Sequence, residues 1–227
     1  MSTKDTSCVI GGLRERNRRR TAARLEQAAW ELVAERGFDA VTADAVAERA
    51  EVSRRTFFNY FPRVEMVLNE RMRSTIAALA ERFVARPTDE PVPDSLAAVL
   101  SEPFDADLLE KAAIVLAQAS GSAAARHFLV ETQLAETAQV EQALLDRTPG
   151  VDPMYAQVVA RAVMGAGYAA TEAWLEQSGG VVDDASRRLH LDLLRQAFAH
   201  LFTAFSAASA SEAPATAVAT PTASRRS

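Results

Sequence analysis

The sequence predicts an all-α protein of about nine helices. Three observations lead there. Alanine and leucine dominate, prolines fall between periodic segments, and no alternating apolar and polar run marks a strand. With 227 residues, 48% of them hydrophobic, the chain is long enough for one or two domains with a sizeable core.

Taken in order, residues 1–17 read as a flexible basic arm. The first strong helix is expected from about Arg18 to Arg36, with Leu25, Ala28, Ala29, Leu32 and Val33 as its apolar stripe. Gly37 stands where a C-terminal cap belongs. Thr42 precedes a short helix, Ala43–Ala50; its hydroxyl can cap the free amides, and Asp44 suits the positive end of the dipole. Ser53 is placed to cap another short helix ending near Tyr60-Phe61-Pro62. A long helix, about Arg63 to Arg86, stops before Pro87. The stretch Pro87–Pro93, with three prolines and acidic residues, reads as a linker and as the best place for a break.

Helices follow near 94–101, 105–119, 122–147, 153–178 and 184–206. Asp152 caps the fourth of these, Pro153 sits in its first turn, and Gly179-Gly180 ends it. The Ala/Ser/Thr/Pro-rich tail, 207–227, is expected to be disordered.

The net charge of -5 argues at first against a nucleic-acid binder, but it is unevenly placed. Residues 1–64 carry +3, concentrated in Arg14, Arg16, Arg18, Arg19, Arg20 and Arg24, whereas 65–227 carry -8. Such asymmetry signals nucleic acid or another acidic partner. Cys8 is a lone cysteine, and His127, His190 and His200 are far apart, so neither a disulfide nor a zinc site is expected. No apolar run reaches membrane-spanning length and no signal peptide is apparent, which makes a cytoplasmic protein the expectation. No catalytic serine elbow, phosphate-binding glycine loop or metal cluster is present; no enzyme activity and no cofactor are expected.

Two short helices joined by a three-residue turn, the second basic and aromatic, make a helix-turn-helix signature: TADAVAERA-EVS-RRTFFNYF. Val46, Ala50, Val52, Phe57 and Phe61 have the spacing of its small core. Arg54, Arg55, Phe58, Asn59 and Tyr60 are left for an outer face, where Arg can pair with guanine and Asn with adenine. The Thr42, Ser53 and Tyr60 hydroxyls suit phosphate oxygens.

The segment AARLEQAAWELVAERGFDAVTADAVAERAEVSRRTFFNYFP resembles the DNA-binding domain of TetR/AcrR-type transcriptional regulators, over about 50 of the 227 residues. The shared pattern is AA..L....G...VT...VA..A.VS..T.F.YF, followed by Glu65. The resemblance implies a helix-turn-helix domain over 18–64 and a helical ligand-binding and dimerisation domain over 65–206. It implies a homodimer on double-stranded operator DNA, most often a repressor at a palindrome, released by a small molecule. A regulator without an inducer, or an activator, is the alternative. By this reading Thr42, Ser53, Arg54, Arg55, Thr56, Phe58, Asn59 and Tyr60 meet DNA.

Three departures from the family pattern stand out. Glu51 occupies a turn position where many members have glycine, Phe58 one where tyrosine is common, and Val64 one where a lysine commonly grips phosphate. Arg63, beside Val64, is the expected substitute.

In the second domain, Ala162, Gly165, Ala166, Ala169, Ala170 and Ala173 permit close helix packing. Leu191, Leu194, Phe198, Leu201, Phe202 and Phe205 offer a stripe on the last helix; the family pattern puts the last two helices in a four-helix dimer interface. A pocket between the middle helices is expected to be lined by Phe104, Leu108, Phe128, Met154, Tyr155, Met164 and Tyr168. Its effector is then hydrophobic or amphipathic. The stretch VDPMYAQVVARAVMGAGYAATEAW also resembles a domain of members that bind fatty acyl-CoA; a thioester ligand would want basic groups such as Arg126 or Arg161 at the pocket mouth.

Overall fold

The apolar stripe Leu25, Ala28, Ala29, Leu32 and Val33 is buried, and it belongs to the first of three apolar clusters among the described residues. The computed structural model describes residues 5–210, and the side chains of residues 16–203. Helix α1 spans Asp5–Arg36, so it begins well before Arg18 and takes in most of the arm expected to be flexible. No proline interrupts it and Arg, Glu, Ala and Leu predominate, so a helix fixed by packing at Leu25–Val33 can propagate toward the N-terminus. At the other end Gly37, at φ 79° and ψ 175°, takes an extended positive-φ conformation that only glycine adopts readily, while its amide donates to the Val33 carbonyl (2.9 Å).

A single 3-10 turn, Phe38–Ala40, leads into α2 (Ala43–Arg49) and α3 (Arg54–Tyr60). Both caps fall where the sequence put them. Thr42 Oγ1 accepts from the Ala45 amide (3.2 Å), and Ser53 Oγ from the Thr56 amide (3.0 Å). Val46, Ala50, Phe57 and Phe61 are buried beneath them, with Val52 packed partly against the same cluster.

Helix α4 (Val64–Val84) joins this unit to the body. Its Val67 and Leu68 belong to the first cluster, and Phe83 to the second. The body continues with α5 (Val92–Val99), α6 (Ala106–Ala119), α7 (Ala123–Arg147), α8 (Pro153–Ser178) and α9 (Asp184–Ala210). Asp152 caps α8 through the Met154 amide (3.0 Å), and Gly179 ends it in the left-handed region at φ 61°. The most extensive helix pairing is α8 with α9. Leu191 and Leu194, expected on an interface between copies, are instead buried in the chain's own core.

The first cluster does not stop at α4. Phe38 meets Trp30 edge to face (6.3 Å between ring centroids) and Phe128 of α7 at 5.3 Å; Val115 of α6 joins them. Lys111 of α6 reaches Glu26 of α1 at 2.8 Å and lies over the Trp30 ring. The helix-turn-helix unit and the body thus share one apolar core.

The stretch Pro87–Pro93 is not a break. Pro93 already lies in the first turn of α5, where a missing amide costs nothing. Buried Arg147, at the end of α7, donates to the carbonyls of Pro87 (2.7 Å) and Glu90 (2.6 Å) while stacking on Phe83. The Glu90 carboxylate binds Arg86 and accepts from Ser95 Oγ (2.6 Å). A clamp of this kind satisfies loop carbonyls that would otherwise be orphaned. Of the expected tail 207–227, the first four residues continue α9; the remainder lies outside the described residues, as do residues 1–4 of the expected arm.

Candidate functional site

The turn between α2 and α3 is a Schellman motif. The Glu51 amide donates to the Glu48 carbonyl (3.0 Å) and the Val52 amide to that of Ala47 (2.9 Å). This requires Glu51 at φ 52°, the one non-glycine residue at positive φ among those described. The geometry explains why glycine suits the position, since a Cβ there crowds the following carbonyl oxygen. Arg24 of α1 braces the turn, donating to the Ala50 carbonyl (2.5 Å) and lying 3.7 Å from the Glu51 carboxylate. In the sequence Arg24 stands out only as part of a basic cluster.

Held by this turn, α3 buries Phe57 and turns Arg54, Arg55, Phe58 and Asn59 to solvent. Phe58 is 41% exposed, unusual for a phenylalanine on a seven-residue helix. Arg54 is already engaged: its guanidinium pairs with Asp44 of α2 (2.9 Å) and lies over the Phe58 ring. Arg55 is exposed with no ion-pair partner among the described residues. Thr56 is half-buried, its hydroxyl 2.8 Å from that of Ser53, while Thr42 and Ser53 are exposed at their caps. Tyr60 is half-buried against the core, with the Arg18 guanidinium 5.7 Å from its ring centroid. Arg63 is exposed just before α4 but shares its charge with Glu65 (3.5 Å) and Glu131 of α7 (3.6 Å). The residues expected to meet DNA therefore lie on the starts of α2 and α3 and the outer face of α3, with Arg63 just before α4.

Among the described residues, two cavities lie within the body. The larger, about 140 Å³, is walled by α4, α5, α7, α8 and α9. Its lining is apolar except for Glu136, Tyr168 and Thr171. The smaller, about 80 Å³, lies toward α1 and α6 and adds the polar side chains of Asn69, Arg71, Lys111, Thr132 and His190. The two share Met72, Phe104, Tyr168 and Thr171.

Of the expected pocket residues, Phe104 and Tyr168 line both cavities, Leu108 and Phe128 the smaller, and Met164 the larger. Met154 and Tyr155 line neither. They lie in the first turn of α8, 69% and 49% exposed, because Ala156 and Ala160 take its buried face.

Glu136, Thr171 and His190 escaped sequence reasoning. Yet Glu136 sits on a stripe repeating every four residues through Phe128, Thr132, Val140 and Leu144, and a carboxylate in such a stripe is a legible signal. Only 2% of Glu136 is exposed. Tyr168 Oη donates to Glu136 Oε2 (2.6 Å), while Oε1 is buried without a partner. Burial pushes this carboxyl up to about 7, against the pull of the Tyr168 hydrogen bond. His190 Nε2 is 3.1 Å from Thr171 Oγ1 and its Nδ1 is buried unpartnered; burial between Phe104 and Trp174 pushes it down to about 4.

Among the described residues no helix is long and apolar enough to cross a membrane, and no group of three His, Cys, Asp or Glu side chains is placed to hold a metal ion.

Residues 26–69 match the model of the family described as bacterial regulatory proteins, tetR family. The HTH-type transcriptional regulator TcmR of Streptomyces glaucescens is 35% identical over 97 residues, 43% of this chain and 41% of that one. The HTH-type transcriptional regulator YdeS of Bacillus subtilis is 38% identical over 69 residues, 30% of this chain and 29% of that one. The matched segments thus span less than half the length of these relatives. Among solved structures, Thermus thermophilus FadR, a TetR-family transcriptional repressor in complex with lauroyl-CoA, aligns over 80% of this chain and 93% of that one, at 19% identity and a TM-score of 0.49.

Proposed function

We propose, from the match of residues 26–69 to the tetR family, that the chain is a DNA-binding transcriptional regulator. It binds a palindromic operator as a homodimer, represses, and is released by a small apolar or amphipathic molecule in the cytoplasm. One observation carries the DNA-binding face: the Schellman turn and two side-chain caps present Arg55, Phe58 and Asn59 outward over buried Phe57. A helix so presented can enter a major groove. Arg55 and Asn59 are assigned to base edges and Thr42, Ser53, Thr56, Tyr60 and Arg63 to phosphates, with Phe58 against a thymine methyl. Arg54 joins them once Asp44 lets it go.

Support for the dimer comes from α8, where Arg161, Gly165, Ala169, Glu172 and Glu176 form one exposed stripe with two small residues at its centre. Such a pair of subunits sets two α3 helices about 34–36 Å apart, one turn of B-DNA. α4 joins the DNA-binding face to both cavities and is the lever by which a bound molecule alters that spacing. Equal Tyr60 separations across the dimer, with effector and with DNA, would remove the lever.

Neither Arg126 nor Arg161 lines the two cavities; Arg126 donates to the carbonyls of Ala119 and Ser120. The acyl-CoA reading therefore draws no support from a basic mouth. A regulator without an inducer is the second reading, favoured by cavities well below the roughly 300 Å³ of a drug-sized pocket. Selecting bound fragments from genomic DNA tests the regulator: inverted repeats with half-sites about one helical turn apart should be enriched. Enrichment of no sequence would defeat the reading, and failure of every metabolite related to the neighbouring genes to release the protein would favour the inducer-free one.

A further inference from the structure

The larger cavity holds one group out of keeping with its walls. Apart from Glu136, Tyr168 and Thr171 its lining is apolar, with no Lys, Arg or His, yet Glu136 stands in that wall with its Oε1 buried and without a partner. A buried polar atom left unpaired costs free energy, and a buried charge costs more unless a counter-charge meets it. Tyr168 satisfies Oε2 and leaves Oε1 open.

We infer that this cavity binds a compact apolar amine in its protonated form, the ammonium donating to Glu136 Oε1 while the hydrocarbon fills the space between Met72, Phe83, Val99 and Met164. The inference rests on the effector reading above and names the chemical class of that effector. An empty apolar cavity of about 140 Å³ is of the size that accepts a single aromatic ring. The chemistry selects among ring-sized molecules. A carboxylate placed beside Glu136 meets a like charge or an acid with no cation near. An alcohol offers one neutral hydrogen bond. An ammonium offers a charge-assisted bond in a low-dielectric site, about twice as strong as a neutral one. Tyr168 is the other ionisable group on the cavity wall, and it already faces Glu136. His190 of α9 stands behind Thr171, and the cations of the neighbouring cavity are committed, Arg71 to Asp105 and Lys111 to Glu26 and Asp107.

Glu136 is largely neutral below about pH 7 when the cavity is empty. Amine binding therefore ionises it and releases a proton, so affinity rises with pH through that range and falls again once the amine itself deprotonates.

The test is calorimetric titration of the full chain with four ring-sized probes: benzylamine, benzyl alcohol, toluene and benzoate. At about pH 8 benzylamine should bind at least about tenfold tighter than benzyl alcohol, and benzoate weakest. Glu136→Gln should abolish the preference for benzylamine while leaving toluene affinity unchanged, which shows an intact cavity. Should that variant not fold, proton release answers in its place: at about pH 6 the wild-type enthalpy with benzylamine must depend on buffer ionisation, and that with toluene must not. Equal or tighter binding of alcohol or benzoate, an unchanged preference in E136Q, a buffer-independent enthalpy, or no binding of any probe overturns the inference. None of these measurements involves DNA. An amine that binds but fails to release operator DNA leaves the site standing and counts against the effector reading alone.

Discussion

Arg54 Nη1 lies 2.9 Å from Asp44 Oδ2, so the first turn of α2 holds back one of the two guanidinium groups that begin α3. Both partners are largely exposed, and an exposed pair of this kind is worth little and yields to salt or to a better anion. A phosphate or a guanine edge is such an anion or acceptor. The pair therefore tunes how readily Arg54 is available and does not fix the fold of the turn.

Asp44→Asn should tighten DNA binding by about two- to fivefold at low salt, because it frees Arg54 and removes a negative charge from the face that meets phosphate. Titrations at several ionic strengths would show it as a steeper salt dependence. Weaker binding by D44N would mean that Asp44 positions Arg54 productively.

Arg55→Ala should cost about 1–3 kcal/mol and relax the preference at one operator position, since Arg55 has no competing carboxylate. Arg54→Ala should cost less against a wild type already restrained by Asp44. Binding measured across a set of operator variants separates base reading from phosphate contact, because loss of a phosphate contact weakens every sequence alike.

Glu51→Gly should stabilise the fold by about 1 kcal/mol by relieving the left-handed strain at φ 52°. It forfeits an exposed contact to Arg24 at 3.7 Å, worth less than the strain. Thermal melting should rise by about 2–4 °C for a chain of this size. Glu51→Ala is the control: it keeps the Cβ and should give no gain. A rise with alanine as large as with glycine would place the effect in the lost carboxylate.

The helix-turn-helix was legible because its determinants are local. Thr42 and Ser53 act on amides three residues on, Phe57 and Phe61 lie one turn apart, and the turn that needs a left-handed residue sits between the caps. The cavity was only partly legible. Phe104, Leu108, Phe128, Met164 and Tyr168 follow from apolar periodicity, but Met154 and Tyr155 share it while Ala156 and Ala160 take the buried face of their helix. The Glu136–Tyr168 pair joins residues 32 apart on two helices, and Arg147 reaches loop carbonyls 57 and 60 residues away. Such contacts depend on how helices are set against one another, which no local pattern encodes. Long helix α1 illustrates the converse: its stripe was plain, and its start was not, because no apolar stripe continues through the polar run Arg14–Arg20.

Stability should depend on pH through two opposed groups. Glu136, raised from 4.5 to about 7, keeps a proton in the folded chain that the unfolded chain has lost, so stability falls as pH rises between those values. His190, lowered from 6.5 to about 4, refuses a proton that the unfolded chain takes up, so stability falls as pH drops between those values. Where the windows overlap, the two slopes cancel. Glu136→Gln removes the first and should reveal a stability that climbs with pH toward 6.5, at up to about 1.4 kcal/mol per pH unit. His190→Asn should give the opposite slope. Denaturant midpoints across this range that run parallel in wild type and E136Q would show that Glu136 titrates normally.

Trp30 reports on the helix-turn-helix unit, from α1 beside Phe38, and Trp174 on the body, buried on α8 against His190. Because Phe38 and Phe128 join the helix-turn-helix unit to α7 in one apolar cluster, both parts should unfold together. In W174F the remaining Trp30 fluorescence should lose its native signal at the same temperature as the far-ultraviolet circular dichroism of that variant, and likewise for Trp174 in W30F. Phe128→Ala, a buried large-to-small change, should cost about 3–5 kcal/mol and lower both transitions as one. A Trp30 transition that precedes loss of the body's helix signal, or that alone responds to F128A, would mean that the DNA-binding unit melts by itself and that the shared cluster does not couple it to the cavities.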